Sequence, residues 1–246
     1  MKTIRGWIFY LWFSLTLIPT ATAVLLLWPF ADERFRYEKV ALPWCRLMIE
    51  SLRVLCGVRY RVIGLENLPR SPERPVVVLS KHQSAWETLF LPLILGAPAG
   101  FVYKKSLHRI PFFGWALKSM NMIAIDRKEG RSAYQLFLER GRAFISRGWW
   151  VLLFPEGTRT RPGDASVVYK TGGARFAESC DALVIPVALN SGRCWPRNSI
   201  AKSAGTITVS VGPVIDSRGK TAHGLTEEVR AWIEAEIVRF ESESSK

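Results

Sequence analysis

The feature that most constrains the fold is an uncharged apolar run near the amino terminus. Residues 6–31 contain no Asp, Glu, Lys or Arg, and Trp7, Trp12 and Trp28 are distributed along them. About 20 apolar residues suffice for a helix to cross a bilayer core, and tryptophan is enriched at both membrane interfaces. Pro19 lies within the run, where it either kinks a spanning helix or favours a re-entrant segment. The run therefore predicts a membrane-anchoring helical segment, and whether it crosses the bilayer stays open.

A cleaved signal peptide is the competing interpretation of this run. Residues 21–23 (ATA) resemble a small-x-small cleavage site that follows a basic start and an apolar stretch. The apolar character nevertheless continues through Trp28, where a signal peptide would already have ended. We therefore expect the segment to be retained. Five basic residues lie between positions 32 and 53 and two precede the run, so the positive-inside rule predicts a cytoplasmic location for the bulk of the chain, at the inner membrane.

The composition limits the class of protein and its partners. The chain has 246 residues, of which 48% are hydrophobic and 22% charged, and this excludes wholesale disorder. The net charge of +13 suits nucleic acid, an anionic membrane surface or phosphorylated substrates. Zinc-finger spacings and RNA-binding aromatic motifs are absent, and an apolar anchor has no use in such proteins, so we expect no nucleic-acid partner. The four cysteines form no close pair, which predicts free thiols and no metal site.

Strand and helix patterns alternate along residues 59–246. Continuous β-branched runs predict strands that are covered on both faces, and helical spacing of apolar residues recurs in residues 43–56, before Gly148 and in residues 225–240. The predicted strands are residues 76–80, 101–103, 122–125, 151–154, 183–188 and 206–211. The pattern predicts an α/β fold, a mostly parallel mixed sheet flanked by helices, with an anchoring helical region over residues 1–58 and one domain over residues 59–246.

A histidine and a glutamate follow the first predicted buried strand. His82 and Glu87 are five residues apart, so within one helix they would point about 140° apart and could not meet. We therefore expect His82 to precede the helix and Glu87 to lie in its first turn. A carboxylate bonded to one ring nitrogen leaves the other free to accept a proton, which is the arrangement of a general base. The alternative is a surface pair without a function.

A second polar segment follows the strand at residues 151–154. Gly157, Thr158 and Arg159 combine freed backbone amides, a hydroxyl and a guanidinium, which together suit an oxyanion or a phosphate. Glu156 is unusual for a pure anion site and either holds Arg159 or bonds a substrate hydroxyl. The alternative is a turn with an exposed ion pair.

Four ordered blocks of the chain resemble the glycerophosphate acyltransferases, and most closely the bacterial 1-acyl-sn-glycerol-3-phosphate (lysophosphatidic acid) acyltransferase family. The blocks are residues 82–87 (HQSAWE), 123–127 (IAIDR), 154–159 (FPEGTR) and 184–187 (VIPV). The resemblance extends from residue 59 to about residue 215. The first block of the family usually ends in aspartate, whereas Glu87 supplies the carboxylate here on a longer side chain. After Lys104 and Lys105, related sequences often carry an acidic residue where this chain has Ser106.

The resemblance implies transfer of a fatty acyl group from acyl carrier protein or coenzyme A to the hydroxyl of a lysophospholipid. His82 would then remove the hydroxyl proton and Glu87 would stabilise the imidazolium. Arg159, with Glu156, Gly157 and Thr158 beside it, would hold the acceptor, with Arg127 as a further candidate. Neither a cofactor nor a metal is implied.

The region that contains the second block is strongly basic. Residues 104–131 carry seven basic and two acidic side chains, interleaved with apolar ones, and this suits anionic lipid headgroups. Two other functions stay open at this point. The same pair of residues could acylate another lysolipid such as a lyso-ornithine lipid, or the chain could be a non-catalytic membrane-binding protein.

Overall fold

At the centre of the sheet lies a short strand, residues 76–80, in which every residue is buried. The computed structural model describes residues 1–164 and 166–244, with the side chains of Arg127 and Ser244 left out. Among these residues, eight strands form one mixed sheet in the order β1-β7-β6-β2-β5-β3-β4, and β8 pairs with β6 outside this path. The strands are β1 (Val58–Ile63), β2 (Val76–Ser80), β3 (Ala99–Lys104), β4 (Ile123–Ile125), β5 (Trp150–Leu153), β6 (Leu183–Leu189), β7 (Gly205–Val211) and β8 (Ile215–Asp216).

The pairing confirms the predicted mostly parallel mixed sheet. β6 is antiparallel to β7 and β8, and the other pairs are parallel. The two strands that the pattern did not predict are β1, which is largely exposed at the edge of the sheet, and β8, which has only two residues. Neither contains the continuous apolar run that marks a strand covered on both faces.

Helices cover both faces of this sheet. They are α1 (Lys2–Leu26), α2 (Glu33–Arg36), α3 (Leu42–Cys56), α4 (Trp86–Ile94), α5 (Phe113–Ser119), α6 (Gly130–Ile145), α7 (Gly172–Glu178) and α8 (Ala222–Ser244). Side chains of β2 alternate between two cores: Val77 and Leu79 pack with α6, α7 and α8, and Val76 and Val78 pack with α3 and α4. Each such side chain contributes about 1.5–3 kcal/mol when it is fully buried, so the strand is fixed from both sides.

The first helix packs against the domain through one face. Phe9 is fully buried and meets the edge of Trp195, with the ring centroids 5.5 Å apart. A Cβ added to Gly6 would lie 1.9 Å from the carbonyl oxygen of Ile200, so this close approach requires glycine. Among the described residues, α1 is the one helix long and apolar enough to cross a membrane, and 17% of its most apolar window is buried.

The carboxyl ends of three neighbouring strands lie at one level. Leu79 of β2 pairs with Leu153 of β5 on one side and with Pro186 of β6 on the other. The loops that leave these strands therefore begin at the same edge of the sheet, where side chains distant in sequence are brought together.

Candidate active site

His82 and Glu87 meet at the edge where β2 ends. His82 lies in the loop after the strand, α4 begins at Trp86, and Glu87 occupies the first turn of that helix. The turn is shaped locally by Ser84, whose hydroxyl accepts a hydrogen bond from the Trp86 backbone N–H at 2.8 Å. Nδ1 of His82 lies 2.8 Å from Oε1 of Glu87. The carboxylate thus folds back toward the imidazole as the spacing predicted.

The carboxylate of Glu87 is fully buried and accepts hydrogen bonds at both oxygens. Oε1 accepts from the backbone N–H groups of Gln83 and Ser84, each at 2.7 Å, in addition to His82. Oε2 accepts from the hydroxyls of Ser84 at 3.0 Å and Ser191 at 2.7 Å. Burial by itself raises the pKa of Glu87, but the imidazole of His82 and these donors outweigh it and hold the pKa below its ordinary value. Glu87 is therefore a charged acceptor.

The imidazole of His82 is held in one orientation. Its ring stacks on Phe154 with centroids 3.9 Å apart and planes inclined by 15°. Because a carboxylate only accepts hydrogen bonds, Nδ1 carries the proton that faces Glu87, and Nε2 has a free lone pair. The side chain is 15% exposed, so a small molecule can reach it. This geometry leaves Nε2 able to accept a proton from a bound molecule.

The backbone of His82 is fixed by the loop after β5. Its N–H donates to Oε2 of Glu156 at 2.7 Å, and its carbonyl accepts from the N–H of Thr160 at 2.8 Å and from the Thr160 hydroxyl at 3.2 Å. The two polar segments identified in the sequence are thereby joined directly.

Glu156 belongs to a buried ion pair. Nζ of Lys81 lies 2.8 Å from Oε1 of Glu156 and 2.8 Å from Oε1 of Glu234 on α8, and the hydroxyl of Tyr169 also donates to Glu234 at 2.8 Å. The Glu156 side chain is fully buried, so it neither holds Arg159 nor reaches a substrate hydroxyl. This corrects the expectation drawn from the sequence: the pairing of β2 with β5 makes the ammonium of Lys81 the partner of Glu156.

The two carboxylates share one ammonium, and this sets the charges of the cluster. Burial raises the pKa of Glu156 to about 7, even though Lys81 and the His82 amide lower it. Burial lowers the pKa of Lys81, but the two carboxylates outweigh it and keep the pKa above its ordinary value. Lys81 thus stays charged, and Glu156 takes up a proton more readily than an exposed glutamate does.

Gly157, Thr158 and Arg159 form the outer part of the same loop. Gly157 has φ +67°, a left-handed conformation that favours glycine, and its N–H donates to the Phe154 carbonyl at 2.9 Å. Thr158 is exposed and Arg159 is partly buried, and the guanidinium of Arg159 has no hydrogen-bond or ion-pair partner among the described residues. Arg159 immediately precedes Thr160, which is bonded to His82, so its backbone lies beside the proposed base. A guanidinium in this position is available to an anionic ligand.

Arg127, the remaining predicted binding residue, begins a single helical turn after β4. Its side chain lies outside the described part of the chain. Lys104, Lys105, Arg109 and Lys128 line a small neighbouring cavity of about 180 Å³ together with Asp126. The basic segment identified in the sequence therefore does surround a recess.

Several side chains of the site were not predicted from the sequence. Ser191 and Glu234 are distant from His82 along the chain, and no local spacing marks them. Lys81 is adjacent to His82 and would have been a candidate, because a lysine that directly follows a buried strand needs a partner. Within residues 1–164 and 166–244, no three His, Cys, Asp or Glu side chains are arranged to hold a metal ion.

Known proteins are similar to this chain over most of its length. The family described as Acyltransferase matches residues 59–190. The 1-acyl-sn-glycerol-3-phosphate acyltransferase of Pseudomonas aeruginosa is 39% identical over 236 residues, covering 95% of this chain and 90% of that protein. The protein of the same name from Borreliella burgdorferi is 31% identical over 163 residues, 66% of this chain and 64% of that protein.

A solved structure has the same fold. The crystal structure of the 1-acyl-sn-glycerophosphate acyltransferase from Thermotoga maritima matches with a TM-score of 0.78 and 20% sequence identity, covering 98% of each chain.

Proposed function

Because the chain belongs to the acyltransferase family, we propose that it transfers a fatty acyl group from a thioester to the sn-2 hydroxyl of 1-acyl-sn-glycerol-3-phosphate. The product is phosphatidic acid, an intermediate of phospholipid biosynthesis. The observation that carries this proposal is the 2.8 Å contact between Nδ1 of His82 and Glu87, with no partner for Nε2 among the described residues. The names of the relatives support the choice of acceptor.

In the proposed reaction, Nε2 of His82 removes the proton of the acceptor hydroxyl as its oxygen attacks the thioester carbonyl carbon. Glu87 stabilises the imidazolium that forms, since its carboxylate remains charged and hydrogen-bonded. The tetrahedral intermediate then expels the thiolate, which takes the proton from Nε2 and leaves as a thiol. No covalent acyl-enzyme, cofactor or metal is required. The thioester is carried by acyl carrier protein or coenzyme A.

The acceptor phosphate is proposed to bind beside the loop after β5. Arg159 offers a guanidinium that has no partner among the described residues, and Gly157 and Thr158 lie next to it. The basic recess after β3 and β4 adds positive charge at the same edge of the sheet, and Arg127 stays a further candidate for the phosphate on the resemblance alone. A guanidinium binds phosphate with two parallel hydrogen bonds, so Arg159 is the residue on which phosphate recognition should depend most.

The enzyme is proposed to work at the inner membrane with its catalytic domain in the cytoplasm. Trp7, Leu11, Leu15 and Ile18 are exposed and follow one another at helical spacing, which forms an apolar stripe on α1. The opposite face packs on the domain through Phe9. These contacts favour a helix that lies in the membrane interface and stays attached to the domain.

The orientation of α1 is tested by replacing Leu11 and Leu15 with serine. This change should reduce cosedimentation of the protein with anionic vesicles, and unchanged binding to the vesicles would contradict the orientation.

The function is tested by presenting the purified protein with a panel of lysolipids and both thioester donors, and by measuring phospholipid product and free thiol separately. We expect acyl transfer to lysophosphatidate, with little thiol release when no lysolipid is present. His82→Ala should lower the rate at least 10²-fold, because general-base assistance contributes about 10² to 10⁴. His223→Ala, which removes an exposed imidazole at the start of α8, is the matched control. Near-normal turnover by His82→Ala would refute the proposed base, and thiol release without acceptor would indicate a thioesterase.

The acceptor is tested with Arg159→Ala. Loss of one charge-assisted hydrogen bond should raise the KM for lysophosphatidate by about 10-fold or more. Arg230→Ala, which removes an exposed arginine paired with Glu227, is the control. Unchanged kinetics with lysophosphatidate, or a preference for a lyso-ornithine lipid, would refute the phosphate assignment.

A further inference from the structure

Ser191 contacts Glu87 across the sheet edge. It follows β6 and is separated from Glu87 by 104 positions, and its hydroxyl donates to Oε2 of Glu87 at 2.7 Å. Both residues are fully buried. Ser191 also lies one residue beyond the region matched by the family, which ends at residue 190.

The serine is itself held in place by its two neighbours. The side-chain oxygen of Asn190 accepts from the Thr208 N–H of β7 at 2.8 Å. The N–H of Gly192 donates to the side-chain oxygen of Gln83 at 3.0 Å. The hydroxyl of Ser191 is therefore presented to Glu87 from a fixed backbone.

The contacts of the carboxylate show what this hydroxyl controls. The imidazole of His82 and two backbone N–H groups all approach Oε1, so Oε1 is the oxygen that faces the base. On Oε2 the donors are two hydroxyls, of Ser84 at 3.0 Å and Ser191 at 2.7 Å. Because the Ser84 hydroxyl also accepts from the Trp86 N–H, its position is set by the turn. The hydrogen bond from Ser191 is the shorter of the two, and Ser191 belongs to a different segment of the chain, the turn after β6.

We propose that Ser191 is a positioning residue that holds the carboxylate of Glu87 in line with Nδ1 of His82 and that makes glutamate, rather than aspartate, the required acid at this position. The proposal rests on the proposed function of His82 and Glu87. Glu87 bridges two fixed groups, with His82 at 2.8 Å from one oxygen and Ser191 at 2.7 Å from the other. An aspartate is one methylene shorter, so it withdraws from one of these groups when it reaches the other.

Two effects of the hydroxyl act in opposite directions on the reaction. A donor to Oε2 draws charge away from the carboxylate, which weakens its stabilisation of the imidazolium. The same donor prevents rotation of the carboxylate away from Nδ1, and misalignment of a catalytic hydrogen bond is costly. Alignment of the carboxylate is the larger of the two effects. Removal of the hydroxyl must therefore lower kcat rather than raise it.

The first test is Ser191→Ala in the full-length protein, assayed with lysophosphatidate and an acyl thioester. Loss of a hydrogen bond to a charged group changes an equilibrium constant about 10-fold or more. Only the share of this energy that stabilises the protonated imidazole more than the neutral one lowers kcat. We expect kcat to fall about 10-fold with the KM of both substrates changed less than about 2-fold. The imidazole Nδ1–H resonance of His82, identified by its absence in His82→Ala, should shift or broaden in Ser191→Ala.

Ser217→Ala is the matched control. Ser217 is equally buried, and its hydroxyl donates to the Ala177 carbonyl at 3.1 Å, away from the site. The control should show the thermal destabilisation expected for a lost buried hydroxyl without a change in kcat or in the His82 resonance. An unchanged or higher kcat in Ser191→Ala would overturn the proposal, as would an equal loss of kcat in Ser217→Ala. Activity that survives in His82→Ala would instead refute the function on which the proposal rests.

A double-mutant cycle with Glu87→Asp tests the requirement for glutamate and does not depend on the stability of Ser191→Ala alone. If the shorter acid has already lost Ser191, adding Ser191→Ala to Glu87→Asp should lower kcat by at most about 2-fold further. A full additional 10-fold loss in the double variant would show that Ser191 acts independently of Glu87 and would refute the proposal.

Discussion

Replacing Lys81 with methionine removes one charge from the buried cluster behind His82 while conserving most of the side-chain volume. Lys81 is 3% exposed and contacts the fully buried carboxylate of Glu156 at 2.8 Å. Removal of one partner of a buried ion pair costs about 3–5 kcal/mol, because the other charge is left without compensation. For a chain of this size, this corresponds to a fall of roughly 10 °C in the unfolding midpoint. The half-exposed Glu234 should add little to this loss.

The loss should depend on pH, because Glu156 escapes the penalty by taking up a proton. Burial already holds the pKa of Glu156 at about 7, above its ordinary value of 4.5, and without Lys81 it must rise further. A raised carboxyl pKa means that the folded protein retains a proton which the unfolded chain releases above about pH 4.5. The stability of Lys81→Met should therefore fall, relative to the native protein, as the pH rises above 7. The deficit should be small at pH 5.5 and should have grown by up to about 2 kcal/mol at pH 8.5, because one proton contributes about 1.4 kcal/mol per pH unit.

The assay is thermal unfolding of the detergent-solubilised protein at these two pH values. In Lys81→Met/Glu156→Gln no charge is left to bury, so this double variant should recover most of the stability at pH 8.5. Lys220→Met is the control, because Lys220 forms an exposed ion pair with Glu228 that is worth less than about 1 kcal/mol. An equal deficit at both pH values, or a double variant no more stable than the single one, would refute this account of the cluster.

Two further predictions concern the residues around the base. The lowered pKa of Glu87 contributes stability that is present above pH 4.5, its ordinary pKa, and is lost as the pH falls through the lower pKa of the folded state. Glu87→Gln should therefore be less stable than the native protein at pH 7, by about 1.5–3 kcal/mol, and unfolding measurements below pH 4.5 should show a smaller difference. A difference that does not change with pH would contradict a charged, hydrogen-bonded Glu87. Gly157→Ala should cost about 1–2 kcal/mol because its φ of +67° is left-handed. It should also reduce acyl transfer, because the strained loop carries Glu156 and Thr160, which bond the backbone of His82. Gly219→Ala, with a similar φ and open space around it, should cost the same stability without reducing activity. Equal activity in the two variants would separate the Gly157 loop from catalysis.

The local parts of the site could be predicted because they depend on short spacings. His82 and Glu87 are five positions apart, and their side chains can meet when the helix begins between them. The structure contains this arrangement. The buried strands ahead of both polar segments were also predicted, because continuous apolar runs identify them. The function assigned to each site residue stays a prediction, as does the division of the chain at residue 58.

The interpretation of Glu156 was wrong for a physical reason. Along the chain, the nearest cation to Glu156 is Arg159, three positions away, and a nearby arginine is a common partner of a glutamate. In the fold, β2 and β5 pair in parallel, so the nearest cation to Glu156 is Lys81 at the end of the adjacent strand. Strand pairing, rather than proximity in sequence, selected the partner.

The amino-acid sequence by itself determined the periodicities: an apolar segment that must leave water, strands that must be covered on both faces, and a histidine placed just before a helix that carries its acid. These follow from local geometry and from the cost of exposing apolar surface. The tertiary structure alone decided which distant groups complete the site, namely Ser191 on Glu87 and Glu234 on Lys81. Such contacts join residues more than a hundred positions apart. The parallel pairing of β2 and β6 brings Ser191 to Glu87, and the packing of α8 on the sheet brings Glu234 to Lys81.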